Sequence, residues 1–388
     1  MFSALALALL PLLPAVLAFD DDAMRSKKVY QLVTDRFALE SGSTSQSCDI
    51  RSYCGGTWKG VASKLDYIKG MGFDTVWISP VVDNIEGVTP YGEAYHGYWT
   101  RNPDQLNAKF GTADDLKSLA QSLHDKDMYL MLDVVVNHVA ATSGQNFQTN
   151  SSYGPFATQD DFHPFCWVDN YENQTNVEQC WLGDDSVILP DLNTQSQNVV
   201  NYWNNWITNL VSNYTVDAIR IDTVKHVPHS FWPAFTQAAG VANVGEVLYF
   251  DPEYIGSYQT NGSVNPFNYA VYYPLTRAFN STVGSLEEVS QMVRQVAGNS
   301  SDPSLYGSFL NNHDNPRFES VVTDRSVRHF LHMTMTMLTN SKFTMHIPTH
   351  SSLMVSHTCT TEVKVDSQEA TTPRTEKHSG PPTLTLVL

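Results

Sequence analysis

A short apolar, strand-like run recurs along the chain, with helix-like stretches between the copies. The runs are "VYQLVTD" (Val29 to Asp35), "FDTVWISP" (Phe73 to Pro80), "YLMLDVVVNH" (Tyr129 to His138) and "VDAIRID" (Val216 to Asp222). "VANVGEV" (Val241 to Val247), "FNYAVYY" (Phe267 to Tyr273) and "LYGSFLNNHD" (Leu305 to Asp314) follow. Helical candidates lie near Gly60 to Met71, Ala113 to Lys126, Gln197 to Val211 and Leu286 to Val296. Strand alternating with helix predicts a parallel sheet with its helices outside. The fold class is therefore α/β, and the repeat approaches a (β/α)8 TIM barrel. The eighth strand is the weak point of the pattern. "KFTMHI" (Lys342 to Ile347) alternates apolar and polar residues and is its candidate.

One gap is too long for a loop between strand and helix. Val139 to about Leu192 shows little periodicity and much Asn, Asp and Gln. Loops of that length without structure are uncommon, so residues 139–192 are expected to form a small domain inserted after the third strand. The barrel then comprises residues 19–138 and 193–340.

Acidic residues close several of the runs: Asp133 in the third, Asp222 in the fourth, Glu246 in the fifth and Asp314 in the seventh. In a barrel those ends gather at one mouth, where active sites sit. One acidic residue at a strand end is more often a cap or a surface charge; four converging ones point to function. Paired carboxylates at a barrel mouth suggest glycoside hydrolysis, in which one stays ionised and the other carries a proton. In "AIRIDTVKH", Arg220 and Asp222 are two apart and share a strand face, while Ile219 and Ile221 share the other. A guanidinium beside a carboxylate favours the ionised form, which makes Asp222 the candidate nucleophile. Glu246, among apolar neighbours in "VGEVLYF", is the candidate acid and base.

The 388 residues carry a formal net charge of -17, which argues against nucleic acid as a partner. The first 18 residues, "MFSALALALLPLLPAVLA", are apolar, end in small residues and precede "FDDD". They read as a signal peptide cleaved near Ala18 and are short for a membrane span. No later segment is long and apolar enough to cross a bilayer, so a secreted, extracellular protein without a membrane partner is expected. In an oxidising compartment cysteines pair. Cys48 with Cys54, and Cys166 with Cys180, are close enough in sequence for two local bridges, and Cys359 is left over. Closing the longer loop contributes roughly 3 kcal/mol in the loop-entropy picture. Glycosylation sequons begin at Asn150, Asn173, Asn213, Asn261, Asn280 and Asn299.

"DVVVNH" (Asp133 to His138), "LPDL" (Leu189 to Leu192), "AIRIDTVKH", "GEVL" (Gly245 to Leu248) and "NNHDNPRF" (Asn311 to Phe318) occur in that order. Together they resemble the sequence blocks of the α-amylase family of glycoside hydrolases. "TDRFA", "CGGTW" and "YHGYW" bring the chain nearest to the secreted fungal members. The resemblance spans roughly Val29 to Thr339. It implies a retaining, endo-acting hydrolase of α-1,4-glucosidic bonds in starch, acting as a monomer. Asp222 would form the covalent glycosyl intermediate, Glu246 would protonate the glycosidic oxygen and then activate water, and Asp314 would grip sugar hydroxyls. His138, Arg220 and His313 match substrate-contacting positions near the cleaved bond, and Lys225 and His226 match the reducing-end side. Tyr98 matches the family's stacking residue in the ring-rich loop "YGEAYHGYW", and Trp99 is taken with it. The family also binds Ca²⁺. Asn137 and Asp191 match its side-chain ligands, and Glu178 and His226 match positions that offer main-chain oxygens; hard oxygen donors suit that ion.

Two features depart from the family pattern. "CDIRSYC" is shorter than the family's loop and lacks a counterpart for a substrate-contacting Gln. After about Asn340 the chain turns Ser-, Thr- and His-rich. Neither the family's eighth strand nor its C-terminal β-sandwich is recognisable there. Residues 341–388 are expected to be an atypical, disordered tail, the product of a shifted reading frame, a retained intron or a truncated gene model. The competing readings are a related α-glucosidase or transglycosylase, and an inactive glucan-binding remnant.

Overall fold

The structure, a computed structural model, describes residues 19–44, 47–142, 144–280, 284–321 and 353–354. The leader, "KFTMHI", Cys359 and nearly all of the tail lie outside the described residues.

A parallel sheet forms the centre. Its order is Ser308–Phe309, Leu353–Met354, Val29–Leu32, Thr75–Ile78, Tyr129–Val134, Ala218–Ile221 and Ala242–Gly245. Beyond Gly245 the ladder continues as two parallel bridges, Gly245 to Pro266 and Phe267 to Gly307, which return to the first strand and close the ring. Eight positions are thus filled, seven by strands and one by the extended segment around Pro266. Leu353–Met354 fills the place expected of the last strand, pairing Val29 with Met354 and Phe309 with Met354.

The run "FNYAVYY" is not a strand. Pairing stops at Phe267, and Tyr269–Asn280 is a helix that buries Tyr269, Ala270, Tyr272 and Pro274. A three-to-four-residue spacing of rings outweighs the β propensity of Tyr and Phe. Pro266 also lacks the N–H that a central strand needs. The other runs are strands shorter than expected: Val29–Leu32 gives way to a helical turn at Thr34–Phe37, and the third strand ends at Val134. The acidic ends of the runs therefore lie at, or just past, the last paired residues.

The expected helices form at Trp58–Ala62 with Leu65–Gly70, Ala113–His124, Gln197–Tyr214 and Leu286–Asn299. Ala113–His124 starts on a capping box from Thr112 and Asp115 and buries Leu116, Leu119, Ala120 and Leu123 against the sheet. At its far end His124 Nε2 donates to Asp217 Oδ2 at 2.8 Å, and that oxygen also accepts from Leu130 N–H. The bond to Asp217 raises the His124 pKa against the opposing pull of burial. A raised His pKa stabilises most below the unfolded value and loses that effect as pH climbs through the folded one. His124→Gln should therefore lower the melting temperature most below about pH 6.5. Melting scans at stepwise higher pH should show the deficit fading; a deficit that grows with pH would refute the pairing.

Residues 139–192 carry three short 3-10 turns, the helix Gln174–Gln179 and the hairpin Leu182–Gly183 with Ile188–Leu189. Phe147, Phe162 and Trp181 pack ring to ring, and Phe165 and Trp167 join them. Cys166 is bonded to Cys180, and Cys48 to Cys54. His138 bridges to Asp191, so the segment leaves and re-enters the barrel at one place.

Candidate active site

Sheet register brings the charges together. Asp133 stands opposite Arg220 on the neighbouring strand, and Arg220 and Asp222 share a face as alternation requires. Arg220 Nη1 donates to Asp133 Oδ1 at 2.9 Å and to Asp222 Oδ1 at 2.6 Å. Its Nη2 lies 3.1 Å from Glu246 Oε2. One guanidinium, only 1% exposed, thus ties three carboxylates from three strands. Ile219 and Ile221 are fully buried in the core, as the alternation predicts.

Glu246 differs from its expected apolar setting. Besides the Arg220 contact, its Oε2 accepts the Thr223 N–H at 3.0 Å. Thr223 holds φ 49°, a left-handed conformation unfavourable for a β-branched residue. That turn aims its N–H at Glu246 immediately after Asp222.

Asp133 is closed on every side. Its Oδ2 accepts from Trp77 Nε1 at 3.0 Å and from Tyr98 OH at 2.6 Å. Burial pushes its pKa up to about 7 even against the pull of Arg220. Asp314 also reaches about 7, through burial and then the charge of Glu246, with Arg220 opposing both. In this state Asp314 carries a proton through mildly acidic pH.

Burial favours the neutral form of His313 and His138. Burial and the nearby Arg220 lower His313 to about 3. Its Nδ1 accepts from Gln31 Nε2 at 2.7 Å, and its ring stacks on Tyr98 with centroids 5.1 Å apart. Burial lowers His138 to about 4; its Nε2 donates to the Tyr98 carbonyl at 3.2 Å. Tyr98 is thereby held by its hydroxyl, its carbonyl and its ring face. Trp99 is half-buried against Ile85, Ala94, Ala140 and Val187, a small satellite core under the same loop. Lys225 Nζ donates to Leu248 O at 2.9 Å and lies 4.6 Å over the Tyr171 ring. His226 Nδ1 donates to Val177 O at 2.9 Å, which ties the residues after Asp222 to the insertion helix.

Near Asn137 one buried carboxylate is only half satisfied. Asp191 is buried; its Oδ2 bonds His163 Nδ1 at 2.6 Å, while its Oδ1 is buried without a hydrogen-bond partner. An orphaned carboxylate oxygen is costly unless a cation answers it. Asn137 is equally buried, and Glu178 and His226 lie on elements packed on each other. Among the described residues no three His, Cys, Asp or Glu cluster as ligands. Of the side chains there, one carboxylate and one amide are the oxygen donors.

Sequence reasoning missed Gln31, Trp77, His96 and His163. Trp77 and Gln31 face the barrel interior on strands read only as apolar runs. His96, buried and lowered to about 3, accepts the Tyr98 N–H at 3.0 Å. His163 lies in the segment without periodicity, where no local signal marks it.

A closed parallel barrel with carboxylates gathered at the C-terminal ends of its strands has the architecture of the barrel glycoside hydrolases. The family model "Alpha amylase, catalytic domain" matches residues 31–347, and the chain belongs to that family. The match runs past the boundary expected near Asn340. The chain is 50% identical over 308 residues to an alpha-amylase of Saccharomycopsis fibuligera, covering 79% of this chain and 62% of that protein. It is also 50% identical to alpha-amylase 1 of Lipomyces kononenkoae, covering 78% and 49%. The chain thus spans less than two thirds of the length of these curated relatives. Among solved structures, an alpha-amylase from Malbranchea cinnamomea superposes with a TM-score of 0.79 at 41% identity, covering 87% of this chain and 69% of that one. The alpha-amylase from Geobacillus thermoleovorans, complexed with acarbose, gives 0.71 at 29% identity, covering 86% and 70%.

Proposed function

We propose that the chain is a retaining, endo-acting hydrolase of α-1,4-glucosidic bonds in starch and related glucans. The observation that carries this is the meeting of Asp222, Glu246 and Asp133 on Arg220, with Asp314 beside them. Arg220 Nη1 holds Oδ1 of Asp222 at 2.6 Å, and the other oxygen of that carboxylate attacks the anomeric carbon. Glu246 gives its proton to the leaving oxygen and then takes one from water. Asp314, protonated at mildly acidic pH, both donates to and accepts from sugar hydroxyls. The surplus of carboxylates over guanidinium suits a transition state with positive charge on the ring. His313 and His138, being neutral, add hydrogen bonds without opposing that charge. Tyr98 offers a flat face to the sugar.

Asn137 and Asp191 would hold Ca²⁺ by side chains, with main-chain oxygens of Glu178 and His226 completing the donors. Bound there, the ion would neutralise Asp191 and pin a 139–192 domain to the barrel of residues 19–138 and 193–340. We assign the chain to the secreted fraction: the six sequon asparagines are all exposed, and among the described residues no helix is long and apolar enough to cross a membrane.

The test is hydrolysis of an end-blocked maltoheptaoside by the purified full chain. An endo-acting hydrolase cleaves it; an α-glucosidase, or an inactive remnant, leaves it intact. Exhaustive chelation should lower the melting temperature and the rate together, and added Ca²⁺ should restore both. Unchanged melting after chelation would remove the calcium assignment and leave the hydrolase reading standing.

A further inference from the structure

We propose that Tyr249 and Phe250 form a stacking platform for glucosyl units on the leaving-group side, setting the preference for long over short glucans. This rests on the hydrolase reading. Phe250 follows Glu246 by four residues and is 62% exposed. Isolated exposed rings are ordinary, but this one is not isolated. It stacks on Tyr249 with centroids 4.7 Å apart and planes 27° apart, and Tyr249 packs on Tyr254 at 4.6 Å. The backbone on both sides is fixed. Lys225 holds Leu248 O, and Asp251 caps the helix Pro252–Gly262 by accepting the N–H groups of Glu253 and Tyr254. A ring kept in water on a rigid turn is preorganised to meet a ligand.

The occupant follows from the surroundings. Tyr254 OH donates to Gln174 Oε1 at 2.8 Å, and Gln174 Nε2 donates to Lys225 O at 3.2 Å. The turn is therefore tied to Lys225, whose ammonium lies over Tyr171, itself 45% exposed. The Lys225 ammonium thus joins the exposed Tyr171 ring to the carbonyl that immediately precedes Tyr249. The charges of Glu172 and Asp251 reach the Tyr249 hydroxyl. Flat apolar faces edged by carboxylates suit a neutral polyol with C–H faces and hydroxyl rims; they do not suit an anionic membrane. A glucan continuing on the leaving side has that chemistry.

The experiment compares kcat/KM for a maltoheptaoside with kcat/KM for a maltotrioside. Phe250→Ala should lower the ratio about fivefold, in line with losing one ring contact, and Phe250→Trp should retain it. Leu286→Ala, an equally exposed apolar residue on the helix Leu286–Asn299, serves as the control and should leave the ratio unchanged. An active wild type whose ratio is unaltered in F250A, or lost in F250W, overturns the platform alone. A wild type that hydrolyses neither substrate overturns the hydrolase reading and the platform with it.

Discussion

Replacing Asp222 by Asn should leave a folded chain whose starch-hydrolysing rate is at least roughly 10⁴-fold lower, the scale set by removing a covalent nucleophile. That loss corresponds to about 5.5 kcal/mol of transition-state stabilisation. The substitution is nearly isosteric. The remaining amide oxygen can accept the bond that Arg220 Nη1 makes at 2.6 Å, and Arg220 keeps Asp133 and Glu246 as counter-charges. Melting should therefore stay within about 3 °C of wild type. The amide fails because it cannot form the glycosyl ester. Reducing-end release by the purified variant is the measurement, with a melting scan on the same sample. A folded D222N enzyme with about a tenth of the wild-type rate, a deficit of only ~1.4 kcal/mol, would remove Asp222 from the nucleophile's role.

Much of this site was legible because a strand's period is two and a barrel's active mouth has one end. Arg220 and Asp222 fall on one face by counting alone, and the acidic ends of the runs mark the rim. What counting could not supply is register. That Asp133 stands across from Arg220 depends on how two strands 87 residues apart slide against each other, and nothing local fixes that. The same gap explains the misreading of "FNYAVYY". Pro266 and Gly245 reduce the sixth position to single bridges, and the rings that follow serve a helix. Glu246 shows a third limit. Its sequence neighbours are apolar, yet its contacts are Arg220 and the Thr223 N–H, which arrive from the adjacent strand and a left-handed turn.

Arg220 is where stability and chemistry meet, and its replacement tests both. Arg220→Met should cost about 3–5 kcal/mol, the range for breaking a buried ion pair from one side. Asp133, Asp222 and Glu246 would share the barrel interior with no counter-charge. The deficit should depend on pH with a definite sign. Asp133 already titrates near 7 because of burial, and Arg220 is what holds it from going higher. Without the guanidinium its folded pKa rises further above the unfolded value. A carboxyl of that kind destabilises little below the unfolded pKa and more as pH climbs through the folded one. R220M should thus melt closest to wild type near pH 5 and fall furthest behind near pH 8. Arg220→Lys separates charge from geometry. An ammonium restores a positive charge but not the planar fork that places Nη1 on Asp133 and Asp222 and Nη2 on Glu246. R220K should recover much of the melting temperature and little of kcat. If R220M instead melts like wild type at pH 8, Arg220 is not what offsets the buried charge of Asp133.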